Sequence, residues 1–403
     1  MAADFLPGNR LTLLNSGGEY FPALLAAIES ATLEIYLESY IFADDEIGHQ
    51  IAAALCRAAR RGVQVNVTVD GFGGQNFSAD FLAQLTEAGV RAMIYRPEIG
   101  RFHIRRHRLR RLHRKLAVID ARIAFVGGIN IVDDNNAPPD MRPRYDYAAS
   151  IEGPTVQQVH HAVRRLWEIV SWVNFKRRFR LQALTTPCCG AVGSQIAAFQ
   201  IRDNIRHRND ILHAYIDAIN AAEHDILIAN AYFLPGVRFG RALQAAARRG
   251  VKISVLLQGK TDHPLLRFAT QALYSAALES GIRIFEYEKS FMHAKVAVID
   301  RHWATVGSSN IDPFSLLLAK EANLVVRDRP FAGALEDSIR QAIACGGREM
   351  GLAEMSCQPW HSRFMRWLSY GLVRALVGIT GYGPKHWQAD EETPGLTAEA
   401  AKQ

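Results

Sequence analysis

Between residues 33 and 42 the chain reads LEIYLESYIF, with Leu33, Ile35, Leu37 and Ile41 on one side of a two-residue period. That is the pattern of a strand with one face on a core. The period then lengthens. In EIGHQIAAALCRAARRG (46–62), Ile47, Ile51, Leu55 and Ala58 share one helical face, and Gly62 is placed to stop the helix. VQVNVTVD (63–70) returns to the strand period. A helix over 79–88 and a strand over 90–95 repeat the cycle. Strands alternating with helices predict an α/β fold with a largely buried sheet.

The cycle itself recurs. AARRGVQVNVTVDG (58–71) and AARRGVKISVLLQG (246–259) agree at eight of fourteen positions. EAGVRAMIY (87–95) matches ESGIRIFEY (279–287), and HRKLAVID (113–120) matches HAKVAVID (293–300). Three similar segments in the same order imply one module used twice. The boundary is expected near ALTTPCCGAVGSQ (183–195), a small, turn-rich stretch. The expected organisation is an N-terminal module over 1–185, a C-terminal module over 186–387 and a polar tail over 388–403.

The third repeat carries the chemistry. On a strand, His113 and Lys115 share a face, with Leu116 and Val118 on the other. His293 and Lys295 repeat the arrangement. Gly127, Gly128 and Asn130 follow the first pair; Gly307, Ser308 and Asn310 follow the second. A neutral imidazole can attack phosphorus, and a protonated one can donate to the leaving oxygen. Lysine ammonium groups, asparagine amides and the Ser308 hydroxyl suit the charge of a five-coordinate phosphorus. Phosphoryl transfer at a cleft shared by two pseudo-two-fold related modules explains why the segment occurs twice.

The two segments, HRKLAVIDARIAFVGGIN and HAKVAVIDRHWATVGSSN, resemble the signature HxK(x)4D(x)6G[GS]xN of the phospholipase D superfamily. Within it, LESYIFADDEIGHQIAAAL, YDYAASIEGP and SSNIDPFSLLLAKEANLVV are most similar to bacterial cardiolipin synthases of the short form, without N-terminal membrane helices. The resemblance implies two α/β/α modules with the active site between them. It implies a catalytic set of His113, Lys115, Asp120, His293, Lys295 and Asp300, with His113 as nucleophile and His293 as general acid and then base. Asn130, Ser308 and Asn310 match phosphate-binding positions. A carboxylate is implied behind each histidine, Asp146 for His113 and Glu321 for His293, to fix the tautomer and stabilise imidazolium. Asp120 and Asp300 end their strands facing away from the histidines and are expected in structural ion pairs. Gly128 departs from the serine at that place in the second half.

Composition adds a partner class. The net charge is +7, and only nine of the 47 basic residues are lysine. An arginine-rich cationic surface suits phosphates. RFHIRRHRLRRLHRK (101–115) leads into the first motif and is expected to gather anionic lipid or nucleic acid. RRLWEIVSWVNFKRRFR (164–180) and PWHSRFMRWLSYGLVRALVGITGYG (359–383) fit either a bilayer interface or packing on the core. Five cysteines without a CxxC point to neither a disulfide framework nor a zinc site. No signal peptide or spanning apolar run is apparent.

The expectation is a peripheral enzyme on the cytoplasmic face of a bacterial inner membrane. It transfers a phosphatidyl group between two phosphatidylglycerol molecules, phosphatidylethanolamine being another possible donor, through a phosphohistidine and without metal or cofactor. A hydrolytic phospholipase D, a metal-independent nuclease and an inert lipid- or nucleic-acid-binding scaffold are the alternatives. Oligomeric state is left open.

Overall fold

The computed structural model of the chain describes residues 4–77, 79–96, 111–173, 190–203, 206–260, 264–312, 319–356, and 365, 366, 368, 369, 371 and 372. The expected boundary at 183–195 falls largely outside these residues, and the tail at 388–403 wholly so.

The first half contributes seven strands: β1 (Leu6–Asn15), β2 (Glu34–Ser39), β3 (Gln64–Asp70), β4 (Arg91–Tyr95), β5 (Lys115–Ile119), β6 (Ile123–Gly127) and β7 (Tyr147–Glu152). The second contributes β8 (Gln195–Arg202), β9 (Asp225–Asn230), β10 (Lys252–Gln258), β11 (Arg283–Tyr287), β12 (Lys295–Ile299), β13 (Trp303–Gly307), β14 (Glu321–Arg327) and β15 (Gly347–Glu349). All fifteen form one sheet, in the order β15-β11-β10-β9-β12-β13-β14-β8-β1-β7-β6-β5-β2-β3-β4. Apart from β15, the order outward from the central β8–β1 pair is the same on both sides. That is the pseudo-two-fold repeat. The outer three strands of each half, β2–β3–β4 and β9–β10–β11, are parallel, and the strands nearer the centre pair antiparallel.

All six residues of β2 are buried, as a sheet covered on both faces requires. The strand begins at Glu34, and Leu33 lies outside it, 52% exposed. The helix α1 (Ser16–Glu29) precedes β2, and α2 (Glu46–Arg60) follows it. The Asp45 carboxylate caps α2 by accepting from Gly48 N at 2.9 Å. Gly62, at φ +91°, takes the left-handed position just past its end. Ile51, Leu55 and Ala58 are fully buried on the expected face.

One sheet face is shared. The helices α4 (Thr155–Val173) and α9 (Arg329–Gly346) cover it, and a single apolar cluster runs from Val163 and Trp167 to Leu335 and Ile339. The other face has a separate core in each half. It lies under α1, α2 and α3 (Ala79–Glu87) in the first half. In the second it lies under α5 (Asp210–Ala221), α6 (Val237–Arg248), α7 (Pro264–Gln271) and α8 (Tyr274–Glu279). Leu166, Trp167 and Val170, read from sequence as bilayer or core residues, are core residues; Trp172 is 79% exposed. Positions 174–180 and most of 359–383 lie outside the described residues. Among the described residues, no helix is long and apolar enough to cross a membrane.

Candidate active site

β5 begins opposite the end of β2, with Leu116 paired to Glu38. β12 begins opposite the end of β9, with Lys295 paired to Asn230. Both motifs therefore lie at the C-terminal edge of the parallel strands, where ligands of such sheets usually bind. The strands start at the lysines. Each histidine lies two residues upstream, in a stretch bonded to the opposite half. His113 N donates to Lys320 O at 3.0 Å, and Lys320 N to Arg111 O at 2.7 Å. His293 N donates to Tyr145 O at 2.7 Å, and Tyr145 N to Phe291 O at 2.9 Å. Lys115 Nζ donates to His113 O at 2.6 Å, and Lys295 Nζ donates to His293 O. Each His-x-Lys is thus locked locally and docked across the centre.

This docking corrects the expected carboxylate pairing. His113 Nδ1 meets Glu321 at 3.0 Å, and His293 Nδ1 meets Asp146 at 2.7 Å. Each histidine is held by the acid of the other half, because Glu321 follows Lys320 and Asp146 follows Tyr145, the two residues that form the cross-half bonds. An ionised carboxylate at Nδ1 makes that nitrogen the proton carrier and leaves Nε2 to react. The imidazoles are 16% and 17% exposed, enough to present one ring edge.

Ser308 departs from its expected place on a phosphate. Its hydroxyl is fully buried, donates to Glu321 at 2.5 Å and accepts from Ala322 N at 3.0 Å. It buttresses the acid behind His113. At the matching place in the first half, a Cβ on Gly128 would stand 2.4 Å from Asp146 Oδ1. The glycine makes room for the acid behind His293. Asn130 Oδ1 accepts from Ile41 N at 3.1 Å, which leaves its amide N–H groups for another acceptor. Asn310, at the matching position of the second half, is buried.

Asp120 and Asp300 are held by backbone donors, and among the described residues neither makes the expected ion pair. Asp120 accepts from the backbone N–H groups of Thr32, Leu33 and Glu34 at 2.8–2.9 Å, and Asp300 from those of Glu223, His224 and Asp225 at 2.8 Å. Each sits in the tight turn after its strand, where two successive residues have positive φ. The motif aspartate clamps the turn beyond β5 or β12 to the start of β2 or β9. These backbone donors hold both carboxyls below the ordinary value, outweighing burial.

Several neighbours gave no signal in the sequence. Tyr40 presents its ring to His113 edge-on at 4.9 Å and underlies the Lys115 ammonium at 5.3 Å. Phe291 stacks near His293 and carries the Arg144 guanidinium at 5.1 Å. Arg114, within the basic run, is buried in a two-point pair with Glu38 at 2.8 and 2.9 Å. Arg111 lies 3.5 Å from Asp70. These two cations are structural, and positions 101–110 of the run lie outside the described residues.

Burial disfavours charge throughout the site. Burial, with Lys295 nearby, pushes Lys115 down to about 7, and burial pushes Lys295 down to about 8. Burial lowers His113, against the pull of Glu321; burial and then Lys295 and Lys115 lower His293 well below its ordinary value. Burial raises Asp146 to about 6. Two buried ammonium groups beside two neutral imidazoles form a receptor for an anion. Among the described residues, no group of three or more His, Cys, Asp or Glu is placed to hold a metal ion.

The comparisons agree with this geometry. A family profile described as "Cardiolipin synthase, PLD-like domain" matches residues 24–167 and 215–343. Cardiolipin synthase B of Shigella flexneri is 37% identical over 98% of this chain and 94% of its own length. That of Escherichia coli strain K12 is 37% identical over 96% and 93%. The major cardiolipin synthase of Bacillus subtilis is 29% identical over 85% and 70%. A crystal structure of phosphatidylserine synthase from Haemophilus influenzae shares the fold, with TM-score 0.67 at 14% identity, covering 92% of this chain and 95% of that one. With two HxK segments on one pseudo-symmetric sheet and a family match across both halves, the chain belongs to the cardiolipin synthase family of the phospholipase D superfamily.

Proposed function

We propose that the chain makes cardiolipin from two molecules of phosphatidylglycerol on a peripheral membrane surface. The observation that carries this reading is the reciprocal arrangement of the two imidazoles, each held at Nδ1 by the opposite half's carboxylate, around two buried, charge-depressed lysines.

The phosphodiester anion of the donor lies between the Lys115 and Lys295 ammonium groups, with Asn130 and Asn310 beside it. Its charge offsets theirs, which lets His293 take up a proton. His113 Nε2 attacks phosphorus. The P–O bond to glycerol breaks as His293 gives its proton to the departing oxygen. The second phosphatidylglycerol enters where glycerol left. His293 takes the proton from its primary hydroxyl, the new P–O bond forms, and the P–N bond to His113 breaks. Glu321 and Asp146 stabilise whichever imidazolium is present. No cofactor is used. Modules over 1–185 and 186–387 are part of this reading, as is docking by the arginines of 101–110 on anionic lipid at the cytoplasmic face.

The test is product analysis on phosphatidylglycerol vesicles. Cardiolipin and free glycerol in equal amounts are expected. Phosphatidic acid alone would replace the synthase by a hydrolase, and metal-independent DNA degradation with inert vesicles would replace it by a nuclease.

A further inference from the structure

The two halves differ where the outer helices meet the sheet near the site. In the first half this space is filled. Phe42, Phe77 and Phe81 are buried with ring centres 5.4–5.5 Å apart, and Leu85 is fully buried nearby. In the second half Phe233 takes the place of Phe42; each pairs with an isoleucine just after the motif asparagine, Ile131 or Ile311. The alignment that sets Glu87 on Glu279 sets Phe77 on Ala269, Phe81 on Leu273 and Leu85 on Ala277. Three large side chains give way to smaller ones. A cavity of about 310 Å³ stands there, walled by Phe233, Val237, Leu257, Leu273, Ala277 and Ile284. It opens to solvent beside Val237 and Arg241, and its size is that of a ligand pocket.

The cavity shares a sheet face and a row with the site. Lys295 is in register with Asn230 on β9, and Asn230 with Leu257 on β10. Residues in register point to the same face, and two strand spacings separate Lys295 from Leu257 by about 10 Å. Asn230 stands between them, fully buried. Its Oδ1 accepts from Ile311 N at 3.2 Å, while its Nδ2 has no acceptor among the described residues. The row thus runs from a cation, through a free amide donor, to an apolar chamber with the exposed Arg241 on its lining. Phosphate, ester oxygen and hydrocarbon follow one another in that order in a glycerophospholipid.

We propose that this cavity is an acyl-chain pocket, receiving one chain of the phospholipid whose phosphate lies on the His-x-Lys pairs, with Asn230 Nδ2 donating to its ester oxygens. The inference rests on the phospholipid reading above. Among the described residues of the first half, the matching place is filled by Phe42, Phe77 and Phe81. One pocket for two identical lipids makes donor and acceptor distinguishable by where their chains lie.

Two measurements test it. The full-length protein is irradiated with phosphatidylglycerol bearing a diazirine near the end of one acyl chain, and labelled peptides are mapped. Label between residues 233 and 284 is expected; label only elsewhere overturns the proposal. Separately, Leu273→Phe with Ala277→Leu restores the large residues of the first half. The ratio of rates on dioleoyl to dihexanoyl phosphatidylglycerol is expected to fall by about tenfold, the scale set by losing a few methylene contacts. An unchanged ratio overturns the proposal. Label in the pocket without any lipid product would sink the synthase reading and leave the pocket standing. Cardiolipin formation with label elsewhere would do the reverse.

Discussion

The exchanged carboxylates make a prediction that chain proximity would get backwards. Glu321 is fully buried, and its carboxylate serves His113 Nδ1 at 3.0 Å and the Ser308 hydroxyl at 2.5 Å. Glutamine at this position keeps the shape and removes the charge. A hydrogen bond to a charged group contributes about 1.5–3 kcal/mol. At roughly 1.4 kcal/mol per factor of ten, its loss slows the step it serves by about ten- to hundredfold. Water cannot reach so buried a carboxylate to compensate, so the upper end is expected. Asp146→Asn removes the charge from the 2.7 Å bond to His293 and from the 3.8 Å contact with Lys295, with a loss of similar size. The steps differ. Glu321→Gln weakens the nucleophile and should slow phosphatidylglycerol and a p-nitrophenyl phosphodiester alike. Asp146→Asn weakens the acid, so it should slow phosphatidylglycerol and largely spare the nitrophenyl ester, whose leaving group needs no proton. The assay is rapid-quench trapping of the phosphoenzyme on both substrates. If Asp146→Asn slows both and Glu321→Gln spares the nitrophenyl ester, His293 is the nucleophile and the proposed roles are reversed.

Three further outcomes follow from the same geometry. Asp300→Ala should lose about 1–2 kcal/mol of stability by removing three hydrogen bonds to a carboxylate, two of whose donors water can reach, with kcat per folded molecule unchanged; denaturant titration beside active-site counting checks this, and a kcat loss without destabilisation would contradict it. Lys115→Met should abolish turnover and raise Tm near pH 7. Between about 7 and the ordinary lysine value of 10.5, the unfolded chain binds the proton that the folded site has released, so this group's contribution to stability grows with pH and the mutant's advantage shrinks; scanning calorimetry from pH 6 to 10 reads the trend, and an advantage that widens with pH refutes it. Turnover should persist in excess EDTA, since lysines supply the positive charge at phosphorus, and a rate that collapses and returns with added Mg²⁺ would point to other chemistry.

Periodicity carried most of the architecture. Alternation at 33–42 and 63–70, and the helical face of 46–62 ending at Gly62, depend on local geometry that any chain with this pattern would adopt. The repeat located both His-x-Lys pairs, because identity at fixed spacing survives in sequence. The pairing of His113 with Glu321 was hidden. It depends on Leu112 lying beside Lys320, a contact between residues 208 apart that no window can see. Ser308 illustrates the same limit, since its hydroxyl looked like a phosphate ligand until the buried acid beside it was in view. Asp120 and Asp300 lie in the turns beyond the far ends of the strands that the lysines begin. Their backbone partners, in the loops before β2 and β9, lay beyond reach of pattern.

The single sheet joined at β8–β1 has an evolutionary consequence. Reciprocal exchange of carboxylates means that a lone module holds one member of each His–carboxylate pair and could complete a pair only in a homodimer with two interchangeable faces. Such a dimer cannot distinguish its nucleophile from its acid, because every mutation strikes both copies at once. Fusion into one reading frame ended that constraint. Gly128 could part from Ser308, Asp146 from Glu321 and Phe77 from Ala269, and from then on selection could give each histidine a task of its own.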